Sequence, residues 1–286
     1  MKIKTRIYFW IINKVVPEEI KPILKKIMYP ILDGLHYLKN GWNSMIPPPS
    51  KVFIGTGNYL KTGSEFADYF TRLGGLQGSH SVLDIGCGSG RMAIPLTDIL
   101  IESGSYEGLD IVREGIDWAS KRISSKFDNF TFTHSDIYNE LYNPDGKIQA
   151  DKYVFPFNDN KFDFVFLTSV FTHMLPSDLK NYLKEISRVL KPDGKCMITY
   201  FLLNDESLGL ISDGMSTIDF KYKYEECLTN NAVIPEDAIA YKEDQIRTFY
   251  SNFNLRILEP ISYGSWCNRN VYLSYQDIVV GTKAAL

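Results

Sequence analysis

VLDIGCGSGRM, residues 82–92, decides how this chain is read. The apolar pair Val82-Leu83 runs into the acid Asp84, and glycines then recur at Gly86, Gly88 and Gly90. A buried parallel strand reads this way where it ends and turns tightly into a helix. The glycines let the backbone bend and let a ligand approach without meeting a side chain. Loops of this kind that hold nucleotide phosphates attract anions through bare N–H groups, and a carboxylate at the mouth opposes that. The dinucleotide fingerprint also needs a glycine where Arg91 stands. A ligand that presents cations in place of phosphates meets both departures.

Outward from the loop, strand and helix patterns alternate, as they do over a parallel sheet. Ile94 to Ile101 continue a first helix. Tyr106–Ile111 is a second strand whose Asp110 lies 20 residues past Gly90, the spacing at which Rossmann-like folds place an acid for ribose hydroxyls. Val112, Ile116, Ala119 and Ile123 mark a helix face. The strand Phe130–His134 leads into Ser135-Asp136-Ile137, and the strand Phe162–Leu167 into Thr168-Ser169-Val170-Phe171-Thr172-His173. Either downstream acid alone would pass for a helix N-cap. Acids at three successive strand ends point to a site. Ser177 is the expected N-cap of a helix through Leu179, Leu183, Ile186 and Leu190, after which Pro192-Asp193-Gly194 turns into a strand over Cys196–Leu202. The last third predicts an irregular or helical excursion over 204–240, a helix near 243–252, a strand near 255–261 and a final strand over Gln276–Val280.

In this order, the glycine motif, Asp110, Asp136-Ile137, FDFVFLTSVFTHM and LKPDGK resemble the class I S-adenosylmethionine-dependent methyltransferases over roughly residues 53–282. The resemblance implies an α/β fold: a doubly wound, mostly parallel seven-stranded sheet whose last strand is inserted antiparallel, with helices on both faces. It implies S-adenosyl-L-methionine as cofactor, with Asp84, Gly86 and Gly88 around the methionine moiety and Cys87 and Gly90 in the same loop. Asp110, beside Ile111, would take the ribose, Asp136 the adenine amino group, and the Ile137 N–H a ring nitrogen. Thr168 would reach the sulfonium end. Tyr59 either closes over the methionine end or is a packed aromatic at a domain edge.

The residues after the fourth strand narrow the acceptor. An Asn-Pro-Pro-aromatic signature of adenine or amide methylation is absent, as is a nucleophilic Pro-Cys. Thr168 stands where catechol-type enzymes hold magnesium with an aspartate, and no His/Asp/Glu cluster has metal-ligand spacing, so no metal is expected. A small-molecule or glycan hydroxyl is the acceptor that remains. The arm, FTHM and QDIVV resemble methyltransferases of polysaccharide and glycolipid assembly, which puts a sugar hydroxyl first. Quinone-like, lipid or secondary-metabolite acceptors come second, and a non-catalytic S-adenosylmethionine-binding scaffold subunit is the alternative without chemistry. His173 is either the general base or a structural histidine at a helix start. Trp266, Asn268 and Arg269 either line the acceptor pocket or pin the last strand pair.

With 286 residues, 44% of them apolar, the chain suits one α/β domain with additions. A net charge of −3 argues against a nucleic-acid partner, and four cysteines without C-x-x-C suit a reducing cytoplasm. Residues 1–41 nevertheless carry +5, leaving −8 on the rest. The expected division is an N-terminal helical arm and proline-rich linker over 1–50, then a methyltransferase domain over 51–286, with 204–240 and 262–275 as acceptor-site additions. In the arm, IYFWIINKVV (7–16) is an apolar patch. Ile20, Ile23, Leu24, Ile27, Met28, Ile31, Leu32 and Leu35 form a helical stripe, and Pro30 is expected to kink it. GWNSMIPPPS (41–50) predicts a stiff extended linker. No stretch reaches the ~20 apolar residues of a membrane span. The arm either packs on the domain or lies on an anionic membrane, giving a cytoplasmic enzyme, peripheral on the inner face in the second case, with a small-molecule, glycan or lipid-linked acceptor.

Overall fold

A computed structural model describes residues 21–52 and 58–284; the expectations for the 7–16 patch and for residues 53–57 lie outside the described residues. Seven strands form one sheet: β1 (Ser81–Ile85), β2 (Ser105–Asp110), β3 (Phe130–His134), β4 (Phe162–Leu167), β5 (Leu190–Tyr200), and two later strands numbered β10 (Leu255–Ser262) and β11 (Asp277–Lys283), since four short strands precede them. Their order is β10-β11-β5-β4-β1-β2-β3. β1 to β5 pair in parallel, and β11 runs antiparallel between β5 and β10. This is the seven-stranded sheet that the resemblance implied. The neighbours of β1 lead away in opposite directions, so a crevice opens over its C-terminal end, where α/β sheets bind ligands.

The central strands read as unbroken apolar runs because both their faces are covered. Leu83, Ile85, Val165, Leu167 and Ile198 point into one core, while Val82, Phe164, Phe166 and Met197 point into the other. The first core is closed by α5 (Pro176–Val189), through Leu179, Leu183, Ile186 and Val189, and by α7 (Glu243–Asn252), through Ile246, Phe249 and Tyr250. The second is closed by α2 (Tyr59–Arg72), α3 (Ala93–Leu96) and α4 (Arg113–Ala119). On α2 the Asn58 side chain accepts the Lys61 N–H, and Phe70 stacks on Phe166 with ring centroids 4.1 Å apart. Each such side chain, fully buried, contributes about 1.5–3 kcal/mol.

Four expected element boundaries within the domain need correction. The helix after the glycine loop is only the four residues of α3, and Thr97–Leu100 continue as tight turns. Helix α5 starts at Pro176 with Leu175 as its cap, not Ser177, because proline's fixed φ suits the first helical position and its missing N–H costs nothing there. Pro192-Asp193-Gly194 does not precede β5 but bulges within it: Phe162 pairs with Leu190, and Phe164 already with Lys195. The 204–240 excursion holds a helix, α6 (Asp205–Ser212), and β7 (Tyr222–Tyr224), β8 (Cys227–Thr229) and β9 (Ile239–Lys242). With β6 (Leu202–Leu203), these strands form a second sheet in the order β6-β9-β8-β7.

The arm is α1 (Lys21–Asn40), which runs through Pro30 as one helix. The segment after it is no extended spacer. Pro47 and Pro48 are buried, and the chain doubles back so that Asp33 accepts from the Ser50 N–H at 3.1 Å and its hydroxyl at 2.5 Å. Trp118 donates to the Met45 carbonyl at 3.3 Å, Lys126 to that of Asn43 at 2.6 Å, and Lys51 pairs with Glu114 at 2.9 Å, so this segment is latched to α4 and the turn after it. No helix among the described residues is long and apolar enough to cross a membrane.

Candidate active site

The glycine loop is tied to the end of β2. The N–H groups of Gly86 and Cys87 both donate to the Leu109 carbonyl, at 2.8 and 3.0 Å, and that of Gly88 to Asp110 Oδ2 at 2.6 Å. Gly86 has φ +83°, and a Cβ there would stand 2.3 Å from Val170 Cγ2. Only glycine serves at that position, so loop and β4 terminus press together. At Gly90 a Cβ would meet Ile123 at 2.6 Å, so this glycine sets the packing of the turn beyond α4 rather than a ligand surface. Asp110 Oδ1 also accepts the Val112 N–H at 2.7 Å. Burial pushes its carboxyl pKa up, and the backbone donors pull the other way.

A cavity of about 500 Å³ opens over these strand ends. Asp110, Ile111, Val112, Ser135 and Ile137 form one wall; Thr168, Ser169, Val170, His173 and Asp178 form the facing one. The long connection after β3 roofs it with Tyr138, Tyr142 and Tyr153. That roof is fastened by Tyr153, whose hydroxyl is 2.7 Å from the Ser135 hydroxyl, and by Asn181, which donates to the Ala150 and Tyr153 carbonyls at 2.9 and 2.8 Å. A second space of about 20 Å³ lies beside the loop among Val52, Tyr59, Cys87, Gly88, Ser89, Arg91 and Met92, and Gly86 and Thr168 border both. Tyr59 donates to the Ser89 carbonyl at 3.1 Å. Arg91, half-buried and without an ion pair among the described residues, has its guanidinium pKa lowered by burial.

His173 is held in one tautomer. Its Nδ1–H donates to the Glu236 carbonyl at 2.8 Å, which leaves Nε2 as the lone-pair nitrogen on a ring that borders the cavity. Burial lowers its pKa, so the ring is neutral at pH 7. Tyr142 meets it edge-on, with ring centroids 6.0 Å apart. Burial, with the charge of Asp151 nearby, pushes the Asp178 carboxyl up to about 6.

The structure thus gathers Gly86, Asp110, Ile111, Ile137, Thr168 and His173 around the large cavity, and Cys87 and Gly88 along the small one. Asp84 borders neither. It lies beneath the loop, 0% exposed, with Tyr106 donating to Oδ2 at 2.5 Å, Oδ1 lacking a hydrogen-bond partner among the described residues, and burial raising its pKa to about 8. Asp136 borders an adjoining depression with Arg113, His134 and Lys147, which shares Ile111, Val112 and Tyr142 with the large cavity, and the Ile137 N–H turns back to the Ser135 carbonyl at 2.9 Å. The Ile137 N–H implied for an adenine ring nitrogen is thus already engaged in this geometry.

Trp266, Asn268 and Arg269 lie outside the cavity wall, which corrects their reading as an acceptor pocket. The indole N–H of Trp266 donates to Asp277 Oδ2 at 2.7 Å. Arg269 bonds Asp277 Oδ1 at 2.9 Å, the Gly264 carbonyl at 3.0 Å and Glu206 at 3.0 Å. Asn268 closes a turn to the Ser265 carbonyl at 2.8 Å. An aspartate buried at the start of β11 demands these donors. Sequence reasoning missed Ser169, Asp178 and Glu236. Ser169 has φ +59°, and donates from its N–H to Thr199 at 2.7 Å and from its hydroxyl to Gln276 at 3.0 Å, contacts with no local sequence signal.

A switch-point cavity, a glycine loop fixed to the next strand's acid, and an antiparallel seventh strand define a class I methyltransferase domain, whose methyl donor is S-adenosyl-L-methionine. A family model described as a methyltransferase domain matches residues 76–252, and the chain belongs to that family. It is 22% identical over 198 residues to the tRNA N(3)-cytidine methyltransferase METTL2 of Gallus gallus, a match covering 65% of this chain and 46% of that one. It is 34% identical over 113 residues to the demethylmenaquinone methyltransferase of Lactobacillus johnsonii, covering 40% of each. The chain thus spans less than half the length of these two relatives. Among solved structures, the PH0226 protein from Pyrococcus horikoshii OT3 has the same fold, with a TM-score of 0.55, 19% identity and coverage of 82% of this chain and 95% of that one.

The residues present fit the donor: a loop without a Cβ at Gly86, a carboxylate at the wall, and a guanidinium beside the loop with no ion pair among the described residues. If Asp110 accepts ribose hydroxyls, Asp110→Ala removes charge-assisted hydrogen bonds of roughly 1.5–3 kcal/mol each and frees the Gly88 N–H. Titration calorimetry should show S-adenosylmethionine affinity down at least about tenfold, and an unchanged affinity refutes the role.

Proposed function

We propose that the protein methylates a hydroxyl of a small-molecule or glycan acceptor seated in the large cavity, with His173 as the base that takes its proton. The observation that carries this reading is the His173 tautomer: a ring that borders the cavity and is bonded at Nδ1 to a carbonyl, so that Nε2 carries the lone pair. When bound, the donor supplies a methyl on a sulfonium, open to in-line displacement. Asp110 would hold its ribose, and Arg91 would pair with the carboxylate of its methionine end, with Tyr59 closing that side. Gly86 and Thr168, common to both spaces, stand where methionine and adenosine ends would join. Holding acceptor and methyl in line supplies much of the rate, and His173 removes the proton that an alcohol must lose.

A sugar hydroxyl of a polysaccharide or glycolipid suits the cavity, because Tyr138, Tyr142 and Tyr153 offer aromatic faces and Asp178 a polar partner. A quinone-like ring is the second reading, favoured by the same tyrosines and by the likeness to a demethylmenaquinone methyltransferase. Mass spectrometry of glycans and lipids from cells with and without the protein separates them. A sugar fragment lighter by one CH₂ in the deletion strain supports the first, an altered quinone supports the second, and no change in either removes both. For a neutral base, the rate should fall as pH drops through the His173 pKa. Because burial lowers that pKa, the acid limb should lie below about 6.5. A pH-rate profile with no acid limb rules out His173 as the base.

A further inference from the structure

Helix α1 carries apolar side chains on two faces, half-burying Leu32 and Tyr37 on one and leaving a second set outward. Its inward face carries polar groups: Asp33 bonded to Ser50, His36 donating from Nε2 to the Ile46 carbonyl at 3.0 Å, and Asn40 capping the His36 carbonyl at 3.1 Å. Its outward face carries Ile27, Ile31, Leu35 and Leu38, which are 57% to 82% exposed, and Trp42 continues the stripe just past the helix, 71% exposed and stacked on Tyr37. No charged side chain interrupts that outward face. Exposed lysines stand off the stripe at Lys26 and Lys39, and in the sequence the preceding residues add Lys2, Lys4, Arg6 and Lys14.

We propose that this face of α1 lies flat on an anionic lipid bilayer and holds the enzyme there reversibly. The charge distribution selects this occupant. Residues 1–41 carry +5 against −8 on the rest, so an anionic surface attracts the arm and repels the body. A second copy seated on the same stripe would bring two lysine-rich helices together at like charge. Ile27 to Leu38 span roughly 17 Å along a helix, which suits lying in the interface and is too short to cross it. Tryptophan at the end of such a stripe favours the headgroup level. Each base near an anionic leaflet raises partitioning about fivefold, so a few engaged lysines add to the apolar contact.

The test is co-sedimentation of the full chain with vesicles of phosphatidylcholine alone or mixed with phosphatidylglycerol. Binding should be at least about tenfold stronger to the anionic vesicles and should be lost at 1 M salt, where the Debye length is about 3 Å. The double variant Ile31→Glu/Leu35→Glu alters exposed side chains only. It should keep its melting temperature and S-adenosylmethionine affinity while losing vesicle binding at least about tenfold. Equal affinity for both vesicles, anionic binding that the double variant retains, or a dimer in solution that the double variant abolishes would each overturn the proposal.

Discussion

Replacing His173 by alanine is expected to cut turnover by about 10²–10⁴ while S-adenosylmethionine still binds with wild-type affinity. The size follows from the work assigned to the ring. Its Nδ1–H is fixed on the Glu236 carbonyl, so Nε2 carries the lone pair without waiting for a tautomer change. Burial lowers its pKa, which keeps it deprotonated at neutral pH but also limits it as a base for unactivated alcohols. The variant also loses one hydrogen bond to a carbonyl, worth about 1 kcal/mol. A melting temperature lowered by several degrees with turnover reduced less than about tenfold would make His173 a structural residue that ties the segment after β4 to Glu236. Single-turnover kinetics beside calorimetry distinguishes the two.

Arg269→Ala is expected to destabilise the protein by about 3–5 kcal/mol, since it leaves Asp277 buried beside Trp266 without its cation. For a domain of this size that is a fall in melting temperature on the order of 10 °C. The loss should be pH-dependent. Burial already pushes Asp277 up to about 6 with Arg269 pulling it down, so removing the guanidinium raises it further. A carboxyl whose folded pKa exceeds the unfolded value disfavours the fold most where it is charged, above the folded pKa. The destabilisation relative to the wild type should therefore be larger at pH 8 than at pH 6, shrinking as the pH falls toward about 6, where the wild-type carboxyl also takes up its proton. Urea denaturation across that range checks it. An unchanged stability with lost activity would instead return Arg269 to the acceptor site.

Much of the fold is legible because the central strands have no solvent-facing side. FDFVFL and FTFTH announce their own ends, and the structure starts and stops β4 and β3 where those runs do. The second sheet is illegible for the opposite reason: strands of two to four residues complete no period that a pattern can show. In the site, Asp110, Thr168 and His173 are visible since parallel strands deliver their C-terminal ends to one edge, so position after a strand is information. The same rule overreaches at Asp84. Its place at the end of β1 resembles a ligand position, but the glycine turn carries the chain over it and leaves Tyr106 as its partner. Glu236 joins His173 from 63 residues away, and no local spacing encodes such a meeting.

The cavity has two builders. The sheet and its glycine loop supply one part of its wall, whereas the tyrosine roof and Glu236 come from the connection after β3 and from the segment between β8 and β9. The roof hangs on a few fastenings, among them the two carbonyl bonds from Asn181. On the proposed reading, donor recognition and acceptor choice are separable traits, open to independent mutation. Grafting a foreign connection over residues 138–153 while keeping Asn181 would exchange the molecule that is marked and leave the supply of methyl groups untouched.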